Sequence, residues 1–135
     1  MKLSNKQKMA LIYLYQQPTP PYWNMGDSRV GTGIYKTFQS LEKRGLIREV
    51  RWYPEYFKAN KSRLEPYRDR WLDCHPVWFD GKWTTHEEMC DPSELGDDTH
   101  YDTLTKEGVA LYQELYQDQE VTLWDDTILV KGGEK

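Results

Sequence analysis

Apolar residues recur along this chain with two different periods, and the switches between them mark its elements. Ile34, Phe38 and Leu41 stand at i, i+4 and i+7, so the chain from Gly31 to Arg44 is expected to form a helix with that stripe turned inward. Thr32 precedes the stripe as its N-cap. Gly45 follows where a positive φ closes a helix, with Leu46 placed to fold back onto Leu41 or Glu42 in a Schellman ending. The other face carries Thr32, Lys36, Gln39, Ser40 and Lys43, with Arg44 beside them, and is polar and mostly cationic. From Leu46 to Trp52 the period drops to two, with Leu46, Arg48, Val50 and Trp52 set against Ile47, Glu49 and Arg51, the pattern of a half-buried strand.

The same patterns place the remaining elements. Ser4 or Asn5 caps a first helix running to about Gln17, with Leu11, Leu14 and Tyr15 on one side and Lys6, Gln7 and Gln17 outside, until Pro18 ends it. Residues 18–31 hold three prolines and two glycines without a helical period, so a loop with at most one short turn is expected there. Thr105 caps a last helix to about Gln117, with Val109, Tyr112 and Tyr116 on one stripe and Leu111 and Leu115 beside it. Glu107 suits the first turn of that helix, and Gly108 permits close packing although it weakens a helix by about 1 kcal/mol relative to Ala. The tail VTLWDDTILVK reads as a hairpin around Asp125-Asp126 that must pack on something, because two isolated strands are marginal.

The helix ending LEKRG that runs directly into LIREV, followed much later by TLTKEG, resembles the winged helix-turn-helix proteins of the broad MarR-type and PadR-type group. The resemblance implies an α+β winged helix-turn-helix core over residues 1–52 and 101–118, in a single domain spanning 1–135. LEKRG would then end the recognition helix, LIREV would open the wing, and LT-x-x-G would close the wing and start the next helix. Two departures stand out. Residues 18–31 lie where that group has a bracing second helix, and 48 residues, 53–100, separate wing strands that a loop of about 10 would ordinarily join.

An insertion that long must carry structure of its own. Glu55 to Leu64 has helical character, with Tyr56, Ala59, Asn60 and Arg63 on one side. HPVWFDGKWTT reads as a hairpin about Asp80-Gly81, a type I′ signal, and the acidic stretch after it holds a short turn capped by Thr84 or Thr85. A C-terminal hairpin over 119–131 completes the plan.

Charge alters the functional picture. The formal net charge of −4 argues against an anionic partner, but residues 1–72 hold 14 Lys+Arg against 6 Asp+Glu, while residues 73–135 hold 4 against 16. That asymmetry favours an anionic partner for the first half. Two cysteines are too few for a disulfide framework and suit a reducing, cytoplasmic setting. The longest apolar run, Met9 to Tyr15, falls far short of the roughly 20 residues of a membrane span, and the Gln16-Gln17-Pro18 after it is unlike a signal-peptide cleavage site.

Four chemistries can be weighed on these residues. In a duplex-DNA interface Lys36, Gln39 and Lys43 would reach base edges, while Arg29, Thr32, Tyr35, Arg44, Arg48 and Arg51 would hold phosphates. Cys74, His75, His86, Cys90 and His100 are metal-competent residue types without C-x-x-C spacing, so no metal or other cofactor is expected. No nucleophile elbow, phosphate loop or HExxH is present, and an enzyme is not expected. The aromatic residues of the insertion are of the type that dominates protein interfaces. Taken with the winged-helix resemblance, which implies a transcriptional regulator, the favoured reading is a dimeric DNA-binding protein of that kind. The alternative is a small acidic adaptor or inhibitor that reuses the winged fold and meets a protein partner through the insertion.

Overall fold

The computed structural model describes residues 2–17, 20, 34–117, 119–124 and 127–131; the side chains of Ile34, Tyr35 and Trp124 lie outside that description. The chain is a mixed α+β fold with small antiparallel ribbons and a C-terminal hairpin. The expectations for 18–31, for the Thr32 cap and for the Asp125-Asp126 turn fall outside the described residues.

Helix α1, Asn5–Tyr15, opens with a capping box: the Ser4 hydroxyl accepts from the Gln7 amide, and the Gln7 side chain accepts from the Ser4 amide. Gln7 was expected outside, but it is buried, because its side-chain amide also donates to Ser40 Oγ at 2.7 Å and ties α1 to the next helix. Gln17 is likewise buried, a second departure from the expected outer face. Helix α2, Ile34–Lys43, buries Phe38 and Leu41. It ends as a Schellman motif: Leu46 N–H donates to the Leu41 carbonyl and Gly45 N–H to the Glu42 carbonyl, both at 3.0 Å, with Gly45 at φ +77°.

Strand β1, Ile47–Trp52, pairs antiparallel with a later strand, β4, Thr99–Leu104, in a continuous register from Ile47 opposite Leu104 to Trp52 opposite Thr99. Helix α7, Lys106–Tyr116, follows β4 and buries Val109, Tyr112 and Tyr116, the expected stripe. Strands β5, Glu120–Trp124, and β6, Thr127–Lys131, form the C-terminal hairpin, which docks through Val121.

Between β1 and β4 lie α3, Pro54–Ala59; α4, Lys61–Leu64; a 3-10 turn, Glu65–Tyr67; α5, Arg68–Trp71; the hairpin strands β2, Val77–Phe79, and β3, Lys82–Thr84; and α6, His86–Met89. The helix expected over 55–64 is broken at Asn60, whose φ of −124° leaves the helical region, so two short helices bury Phe57 and Leu64 instead of one running through. Tyr56, Asn60 and Arg63 do share a side, but an outer one, where Arg63 Nη2 donates to Asn60 Oδ1 at 3.0 Å. Asp80 and Gly81 both take positive φ, as a type I′ turn requires, and Thr85 caps α6.

Two apolar clusters divide the interior. The larger gathers α1, α2 and α7 with Ile47 and Leu104; the smaller holds Val50, Val77, Cys90 and Tyr101. The β1–β4 ribbon serves both, because alternate residues of a strand point to opposite faces. The insertion is not self-contained. Trp78 of β2 reaches the larger cluster, donates to the Tyr15 carbonyl at 3.2 Å and packs 5.1 Å from the Tyr15 ring.

Candidate nucleic-acid interface

The two sequence motifs, 60 residues apart, meet at one joint. Thr105 Oγ1 donates to the Gly45 carbonyl at 2.6 Å while accepting from the Gly108 amide, and Thr105 N–H donates to the Leu46 carbonyl at 3.0 Å. A Cβ on Gly108 would collide with that Leu46 carbonyl oxygen, so only glycine lets α7 come this close. The end of LEKRGL is thereby clamped to the start of TKEG. With Gln7 and Ser40 joining α1 to α2 on the inner side, the clamp fixes the direction in which α2 points.

That direction leaves one face open. Lys36, Gln39 and Lys43 are all exposed, and at about 100° per residue they fall within about 60° of arc, opposite Phe38 and Leu41. The expected outer face contracts by one residue: Ser40 is half-buried, donating to the Thr37 carbonyl and accepting from Gln7. Glu42, the helix's one acid, lies on the flank, about 100° from Lys43.

The arginines are placed less simply. Arg44 is exposed and donates to the Lys2 carbonyl at 2.7 Å, which holds the chain start against the end of α2. Arg48 is held inside the fold: its guanidinium donates to Asp73 Oδ2 at 2.7 Å and to the Pro76 carbonyl at 3.0 Å, so the insertion takes the place expected of a phosphate. Arg51 is exposed and paired loosely with Glu49 at 3.5 Å. The positions of Arg29 and Thr32 and the side chain of Tyr35 lie outside the described residues.

The metal-competent residues are scattered. His86 is fully buried between Trp52 and Tyr101, and its Nδ1 lies 2.7 Å from the Tyr101 hydroxyl. Burial lowers its pKa to about 4, with Asp73 acting in the other direction, so the ring is neutral near pH 7. Cys90 is buried, Cys74 is exposed, and His100 Nδ1 lies 3.1 Å from the Tyr53 hydroxyl. Among the described residues no three His, Cys, Asp or Glu side chains gather as a metal site would need. No described helix is long and apolar enough to cross a membrane.

Sequence reasoning missed Asp73. This residue anchors Arg48 and also accepts from the His75 amide at 2.9 Å. Its sequence setting, between Leu72 and Cys74, carries no periodic signal that would have marked it. No family model, curated protein or solved structure matches the chain.

Proposed function

We propose that the chain is a winged-helix transcriptional regulator that binds duplex DNA with α2 as its recognition helix. The order α1, α2, β1, β4, α7 is consistent with that architecture, with β1 and β4 as the wing and 53–98 as its enlarged tip. The observation that carries the reading is the open face of α2, where Lys36, Gln39 and Lys43 project from a helix clamped by the Gly45–Thr105 joint. Lysine suits guanine O6 and N7, glutamine suits adenine N6 and N7, and a helix about 10 Å across fits the major groove. In this reading Arg44 and Arg51 add phosphate contacts, Arg29, Thr32 and Tyr35 are further candidates, and Arg48 serves the fold. The acidic second half of the chain opposes long-range attraction, so binding is modest and salt-sensitive. The working unit is a homodimer.

A mobility-shift titration against duplex DNA at low and moderate salt tests this. Binding should weaken steeply with salt and be lost in Lys36→Ala/Lys43→Ala; absence of binding at low salt would reject it.

The engagement of Arg48 by Asp73 favours one other reading. A fold that neutralises its own wing arginine suits an adaptor that meets a protein partner through the insertion. Failure of the duplex titration together with a soluble, folded protein would leave that reading in place.

A further inference from the structure

The segment 53–71 carries aromatic rings that neither apolar cluster takes in. Tyr56 is 41% exposed, and its ring lies 5.1 Å from that of Trp71, tilted by 42°; the Trp71 ring lies 5.7 Å from that of Tyr53, tilted by 38°. Both Trp71 and Tyr53 are half-buried. Rings that served as interior would be covered. These form a ladder that is fixed at its base and open along its side.

The backbone fixes the ladder firmly. Tyr53 N–H donates to the Trp71 carbonyl at 2.7 Å, and Trp52 makes a bridge to Leu72, so the end of α5 lies along the free edge of β1. Asp98 accepts from the Glu55 and Tyr56 amides at 2.8 and 3.3 Å, which occupies its carboxylate at the start of α3. The segment is also cationic, with Arg68 over the Phe57 ring and Arg70 over the Tyr67 ring. Lys58, Lys61, Arg63, Arg68 and Arg70 are all exposed, against three acids in the same segment, and Arg63 Nη2 reaches to 3.4 Å from the Tyr56 hydroxyl.

A half-open aromatic cluster with an exposed outer ring and a guanidinium beside it matches the chemistry of an unpaired nucleic-acid strand: π-faces that stack and phosphates that want a cation. Duplex DNA offers no such faces, since its bases are stacked on one another. We propose that the Tyr56–Trp71–Tyr53 ladder is a second binding surface that takes a short single-stranded stretch of DNA, about two or three bases long, with Arg63 on its phosphates. The stacking argument stands independently of α2. The choice of DNA over RNA rests on the reading of α2 as a DNA-binding helix, since the ladder lies at the far end of the ribbon that α2 feeds, about 17 Å along six strand residues.

Fluorescence anisotropy with labelled oligo-dT, oligo-U and a duplex, each about 12 nucleotides long, tests the proposal at low salt. The oligo-dT should bind, and Tyr56→Ala/Arg63→Ala, which alters two exposed side chains, should weaken it by about tenfold or more, with circular dichroism confirming the fold. Lys36→Ala/Lys43→Ala should leave oligo-dT binding unchanged while abolishing duplex binding, so the two surfaces fail or stand separately. No oligo-dT binding, or equal binding by Tyr56→Ala/Arg63→Ala, would overturn the ladder, and tighter binding of oligo-U would overturn its assignment to DNA.

Discussion

The two faces of the β1–β4 ribbon are held by different physics. On one face Ile47 and Leu104 sink into a cluster of three helices, two of which have 11 residues and bury several apolar side chains each. On the other, no helix of the insertion exceeds six residues, and none buries more than one hydrophobic side chain. Helices that short do not stand alone in water. Polar links complete the second face: Arg48 to Asp73, His86 to Tyr101, Trp52 Nε1 to the Leu95 carbonyl at 2.8 Å, and Asp98 on the start of α3. The difference teaches where each kind of damage should fall. Loss of packing should unfold the helical side, whereas loss of a charge or a shift of pH should loosen the insertion first.

The contrast can be sharpened by substitution. Leu41→Ala, in the fully buried centre of the helical side, should cost about 3 kcal/mol in a denaturant titration and lower the melting of the whole chain. Gly108→Ala should also destabilise, by about 2 kcal/mol, although the same change on an open helix would stabilise it, because the new Cβ meets the Leu46 carbonyl. A stabilising Gly108→Ala would mean that the α2–α7 joint is looser than described.

The pH response belongs to the insertion. His86 titrates near 6.5 when unfolded and about 4 when folded, so the unfolded chain binds the extra proton between those values and stability falls as pH drops from about 6.5 to 4. The full loss is on the order of 3 kcal/mol, is absent above pH 7, and should flatten in His86→Phe. Asp73→Ala should cost about 2 kcal/mol by leaving Arg48 without its carboxylate, with hydrogen exchange rising first in residues 71–79. Uniform exchange across the chain would contradict the division into two faces.

Legibility in the sequence follows the same division. Periodic apolar residues marked α1, α2 and α7, and chemically specific punctuation marked their ends: Ser4, Gly45 and Thr105 each act as read, and Asp80-Gly81 turns the β2–β3 hairpin. The rest of the insertion's form was not legible because its contacts are single polar pairs between residues far apart, such as Arg48 with Asp73 and Asp98 with Glu55, which leave no period behind. Gln7 shows the limit at small scale: a polar residue on a helix reads as outer until its partner, Ser40, is known. For the candidate interface, the pattern marked Lys36, Gln39 and Lys43 as one face, and those side chains are exposed; Arg48, read from the same stretch, is turned to the insertion.

The salt dependence of duplex binding tests the central claim most directly. If α2 is the recognition helix, log affinity of the wild-type chain should fall linearly with log salt, and Lys36→Ala/Lys43→Ala should lose that binding even at the lowest salt. The same slope and affinity for the wild-type chain and the double variant would contradict it.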